Sequence, residues 1–116
     1  MSEFEMKHPN AYLCDNWVVI FLNAGDPHYR ILTGMSGGYL DGDSWRMNSG
    51  IVRVEEDEQY FYFHGASGSC YAGRKTAYCL RMNNAYIWAQ LKEKHGDKVS
   101  MLDEDTDWMN HDWIIK

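Results

Sequence analysis

Between Ile51 and His64 ("IVRVEEDEQYFYFH") apolar and polar residues alternate on both sides of an acidic turn. A period of two on either side of a short polar break reads as a β-hairpin. Any even-numbered loop at Asp57 and Glu58 sets Val52, Val54, Phe61 and Phe63 on one face, and Arg53, Tyr60, Tyr62 and His64 on the other. The first set is core by composition, with Ile51 expected on the opposite side. The second is aromatic with polar tips. Glycine turns flank the hairpin: Gly37, Gly38, Gly42 and Gly50 precede it, and "GASGS" from Gly65 to Ser69 follows it.

The other elements are read around this hairpin. "WVVIFLN", Trp17 to Asn23, is β-branched, aromatic and apolar on both faces, which suits a central strand covered on both sides. After the "AGDPH" turn, Tyr29 to Met35 alternates as a second strand, antiparallel to the first, with Tyr29, Ile31, Thr33 and Met35 on one face. Cys70 to Ala72, Lys98 to Leu102 and the final "DWIIK" are short strand candidates. Ala85, Ile87, Trp88 and Leu91 form a helical stripe of roughly three turns, capped by Asn83 or Asn84 and stopped by Gly96. Thr76 to Met82 fits either a helix extension or a strand. The expected fold is α+β: a small, mostly antiparallel sheet of about five strands with one helix from the C-terminal half packed on it. It forms a single domain over residues 1–116, with a loosely held arm at 1–16 and an acidic tail at 101–116.

With 45% apolar and 15% aromatic residues among 116, the chain affords one packed core. No apolar run approaches the ~20 residues that span a bilayer, and "MSEFEMKHPN" lacks the pattern of a signal peptide. A cytosolic setting follows, with no membrane partner. Cys14, Cys70 and Cys79 read there as reduced thiols rather than a disulfide framework. The net charge of −6 is uneven: residues 59–100 carry +4, from Arg74, Lys75, Arg81, Lys92, Lys94 and Lys98 against Glu93 and Asp97. Acidic segments lie on both sides.

Catalytic and metal motifs fail on context. "GMSGG" matches G-x-S-x-G at Ser36, but a glycine turn follows it instead of a helix. Asp103, Asp105 and Asp107 open like a calcium loop, yet Trp108 stands where glycine is required and Ile114 where a bidentate glutamate is needed. Cys70, Cys79, His64 and His95 lack zinc-ligand spacing. No Gly-Lys-Ser/Thr phosphate loop occurs. No enzyme, metal or cofactor is expected.

The order W-V-V, then G-G-Y-L-x-G-D-S-W-R-x-N-S-G-I, V-E-E-D, a Tyr/Phe strand and G-x-S-G-S-x-Y, over Trp17 to Tyr78, resembles small functionally uncharacterised proteins of tailed bacteriophages. The ending "DTDWMNHDWIIK" is similar to that of small phage proteins that sequester a signalling nucleotide. The resemblance implies a phage accessory protein in the host cytoplasm. Such a protein would bind and inhibit or redirect a host factor, a counter-defence role of the anti-CRISPR kind. Trp45, Arg46, Arg53, Tyr60, Tyr62, His64, Tyr71 and Arg74 are the expected contact face. Tyrosine and arginine suit a protein interface, or a nucleotide or nucleic acid. Glu55, Glu56, Asp57 and Glu58, with Asp103, Glu104, Asp105 and Asp107, would imitate nucleic acid in a basic groove of the partner. A homodimer stays open.

Overall fold

Apolar side chains on both faces of one strand need a cover on each side, and Asn16–Leu22 receives both. A computed structural model describes residues 6–14, 16–23, 25–35 and 44–114, with only the backbone of Met35, Ser44, Met82 and Asn83. Ser36 and the glycines at 37, 38 and 42 lie outside the described residues. The strands are β1 (Tyr12–Cys14), β2 (Asn16–Leu22), β3 (His28–Met35), β4 (Ser44–Met47), β5 (Ile51–Glu56), β6 (Tyr60–Gly65), β7 (Cys70–Arg74) and β8 (Val99–Met101), with one helix, α1 (Met82–His95).

The fold is α+β, and its strands divide into two sheets of four, ordered β1-β7-β6-β5 and β4-β3-β2-β8. All pairings between these strands are antiparallel except β1 with β7. From β2, Trp17 and Val19 pack toward the first sheet with Ile31, Ile51 and Phe63. Val18, Ile20 and Leu22 pack the other way, with Leu32, Ile87 and Val99 and against Trp88 and Leu91 of α1. The molecule is therefore layered as sheet, sheet, helix, with β2 in the middle.

Trp17 is the wedge between the sheets. Its ring centroid lies 5.1 Å from that of Phe63, 4.8 Å from Tyr78 and 5.6 Å from Trp108. Its indole N–H donates to the Arg74 carbonyl at 2.8 Å. Gly73 makes room for it, because a Cβ there would stand 2.7 Å from the indole.

Several expectations are revised. The hairpin register pairs Val54 with Phe63 and Glu56 with Phe61, so these side chains share the core-side face as parity requires. A bulge between Ile51 and Arg53 reverses the strand's start. Ile51 is buried and Val52 is exposed, the opposite of simple alternation. The segment expected to be a loose arm supplies β1, since Tyr12–Cys14 pairs with Tyr71–Gly73. Thr76 to Leu80 joins neither a strand nor the helix, but Tyr78 bridges Trp17. Helix α1 starts earlier than expected: Arg81 is its N-cap, and Asn84 sits in the first turn, accepting from the Arg81 N–H at 2.7 Å. Gly96, at φ +56°, ends it as expected. The acidic tail folds back, burying Trp108 and Trp113, and Asp112 to Ile114 form no strand.

Gly73→Ala should lower the melting temperature by roughly 5–15 °C, because the indole is hemmed in by other rings and overpacking costs about 1–3 kcal/mol. Calorimetry checks it, and Trp17→Phe in the same chain should recover part of the loss.

Candidate functional site

The eight residues expected to form one contact face fall into three places. Tyr71 pairs with Phe63 and so shares the core-side face. Tyr60 and Arg74 pair on the outer face, where the Arg74 guanidinium lies over the Tyr60 ring at 5.4 Å. Tyr62, His64 and Arg53 occupy the same face; Tyr62 and His64 lie beneath the N-terminal segment, while Arg53 reaches solvent. Tyr60 is 7% exposed, Tyr62 0% and Tyr71 4%, too enclosed to serve as an open stacking surface. Beyond the bulge at Ile51 parity separated the two faces, and Val52 fell off the core face; parity carried no information about the chain returning to cover the second.

That cover is polar at its centre. Glu55 is the hub, receiving Arg53 Nη1 at 2.7 Å, His64 Nε2 at 2.7 Å and His8 Nε2 at 3.0 Å on Oε1, and Lys7 Nζ at 3.3 Å on Oε2. Beside it, Asp57 builds the hairpin turn: Oδ1 accepts the N–H groups of Gln59 at 2.9 Å and Tyr60 at 2.8 Å. Its Oδ2 accepts the Lys7 N–H at 3.1 Å and the Tyr62 hydroxyl. The His8 ring packs edge-on against Tyr62 and His64, with centroids at 5.0 and 5.1 Å. The acidic residues Glu55 and Asp57 are thus spent on the fold, and Glu56 pairs with Lys75 at 2.7 Å. Glu58, Asp103, Glu104, Asp105 and Asp107 are exposed.

The remaining predicted residues meet elsewhere. Strand β1 ends one sheet and β4 ends the other, and Arg46 of β4 stacks on Tyr12 of β1 at 4.3 Å from the ring centroid. Tyr12 in turn packs on Tyr71 at 5.1 Å. Tyr12 is 43% exposed at this seam, while Leu13 and Trp45, exposed at 53% and 46%, alternate onto the opposite faces of their strands. A cavity opens beside it, lined by Arg30, Arg46, Asn48, Ser49, Ser67, Ser69 and both tyrosines. Among the described residues, its polar side chains are guanidinium, amide and hydroxyl groups, and no carboxylate lines it. Asn48 Oδ1 accepts the Ile31 N–H at 3.0 Å, while its buried Nδ2 has no partner.

His8, Lys7, Tyr12 and Arg30 were not singled out from sequence. His8 and Lys7 sit in a segment without a period, and their partners lie 47 to 55 residues away. Cys70, expected to be unreactive, has its thiol pushed up to about 11 by burial, which disfavours the thiolate. Cys70 registers opposite His64. No helix among the described residues is long and apolar enough to cross a membrane. No family model, curated protein or solved structure matches this chain.

The Glu55 hub sets an acid dependence. Hydrogen bonding, from Arg53 foremost, holds its carboxyl at about 2 against an ordinary 4.5. The folded value lies below the unfolded one, so this stability is present above pH 4.5 and is lost as pH falls toward 2. Glu55→Gln should lower the melting temperature at neutral pH and flatten its decline across that window. A decline as steep as that of the parent chain would show that other carboxylates govern it.

Proposed function

We propose that this chain is a non-enzymatic accessory protein of a tailed bacteriophage. It binds a bacterial host factor in the host cytoplasm and inhibits or redirects it, a counter-defence role of the anti-CRISPR kind. The resemblance over Trp17 to Tyr78 supplies the source. The observation that carries binding is the Arg46–Tyr12 stack, which joins the two end strands, with Trp45 exposed on the outer face of β4 and Leu13 exposed on that of β1. Sheet edges offer unpaired backbone groups to an added strand, and aromatic and arginine side chains supply anchors. The Asp103, Glu104, Asp105 and Asp107 ridge, with Glu58, is the surface left for imitation of nucleic acid.

Capture of the partner from host lysate followed by titration separates these surfaces. Trp45→Ala with Arg46→Ala should weaken binding about thirtyfold or more at any salt. Binding through the acidic ridge would instead fall steeply with salt and with neutral replacements at 103, 104, 105 and 107. A partner that tolerates both sets of replacements would refute the reading.

A second reading, a signalling-nucleotide sponge or nucleic-acid binder, is favoured by the cavity beside Arg46, whose described lining holds no carboxylate, in a chain of net charge −6. Guanidinium and hydroxyl donors next to a tyrosine ring suit a phosphate and a base. Cyclic dinucleotides, ADP-ribose-type signals and oligonucleotides can be screened by thermal shift. A true ligand at a hundredfold excess over Kd adds about 2.7 kcal/mol, a rise of several degrees that Arg46→Ala should remove. No rise with any of them would dismiss this reading.

A further inference from the structure

The geometry points to a divalent transition-metal site formed by His8, Glu55 and His64. Three residues distant in sequence converge on the outer face of the hairpin, with all three ligand atoms within 4.8 Å of one another. Both imidazoles present Nε2 to one carboxylate oxygen, at 2.7 and 3.0 Å. A tetrahedral ion with bonds of about 2.0–2.1 Å needs ligand separations of about 3.3 Å, so the cluster has to open by only a few tenths of an ångström. Two nitrogens and one carboxylate favour zinc, cobalt or nickel over calcium or magnesium.

The surroundings fit a bound cation in one respect and oppose it in another. His8 also lines an open cavity with Ser69 and Cys70, so an ion can reach the histidine from solvent. Arg53 is the competitor, since its guanidinium occupies the carboxylate oxygen that the ion would use. Its side chain is 60% exposed and can swing into solvent, whereas Lys7 sits on the other oxygen. The ion therefore replaces Arg53 at Oε1 and leaves the carboxylate's second oxygen paired.

This inference is independent of the identity of any host partner. The full-length chain is titrated with Zn²⁺ by calorimetry and with Co²⁺ by visible absorption. One ion per chain is expected, with the spectrum of nitrogen and oxygen ligands. His8→Ala and His64→Ala should each weaken Zn²⁺ about a hundredfold, at least as much as loss of an outer-shell partner does. Arg53→Ala should tighten binding several-fold, because it removes a neighbouring positive charge, while His95→Ala leaves it unchanged. His8 lies in the N-terminal segment, so its variant remains informative if His64→Ala fails to fold. No binding at millimolar Zn²⁺, binding that survives His8→Ala, or a thiolate charge-transfer band with Co²⁺ would each overturn the assignment.

Discussion

The position of Trp17 is the constraint on which the two sheets depend. A buried indole needs a partner for its N–H and a large flat space for its ring, and both come from β7: the Arg74 carbonyl and the bare Cα of Gly73. The backbone joins in, as the Trp17 N–H donates to Ala77 and its carbonyl accepts from Cys79. These contacts tie β2, in the middle of the second sheet, to the segment that follows the last strand of the hairpin sheet. Trp108 then closes over the same ring from the C-terminal segment, and Tyr78 reaches from it to the Leu102 carbonyl. One side chain thereby gathers segments that lie far apart in the sequence.

On the other side of the hairpin, a polar network lies beside a small apolar cover, in which Met6 and Ala11 pack on Tyr60, Tyr62 and Ala72. Exposed ion pairs stabilise by little, about 0–1 kcal/mol each, because water competes for both partners. The pairs at Glu55 are only partly exposed and share one carboxylate, so their effect is to fix the path of the N-terminal segment as much as to add stability. Asp57 extends this, since one carboxylate builds the turn and also holds Lys7 and Tyr62. Tyr62 is consequently fully buried although it carries a hydroxyl: that hydroxyl has an ionised acceptor.

What was legible in the sequence was local and periodic. The two-sided burial of β2, its antiparallel pairing with β3, the shared face of Val54, Phe61 and Phe63, and the stop at Gly96 all follow from short-range patterns. The bulge at Ile51 was hidden because one extra residue shifts parity without altering composition. The N-terminal strand was hidden because three residues carry no period, and its parallel pairing with β7 spans almost sixty residues. The tail looked acidic by count, yet its two tryptophans decide its fate, since burying each ring outweighs solvating the charges beside it. Of the candidate site, Arg46 and Trp45 were named from sequence together with residues that lie elsewhere in the fold. Arg46 has its stacking partner on β1, which no pattern had marked.

The consequence for function is a matter of competition for surface. A hairpin face has one set of side chains, and tyrosines that anchor an N-terminal segment are not open to an outside partner. The outer face of this hairpin is committed to Lys7, His8 and Ala11, which leaves its rings covered. Two sheets whose end strands meet leave a different opening. At the β1–β4 seam the backbone edges are short, three and four residues, which limits uncontrolled pairing while leaving the Arg46 guanidinium and the Tyr12 ring exposed against each other. Trp45 and Leu13, also exposed, alternate onto the outer faces of the same two strands, so each sheet carries one apolar side chain into solvent beside the place where the sheets join.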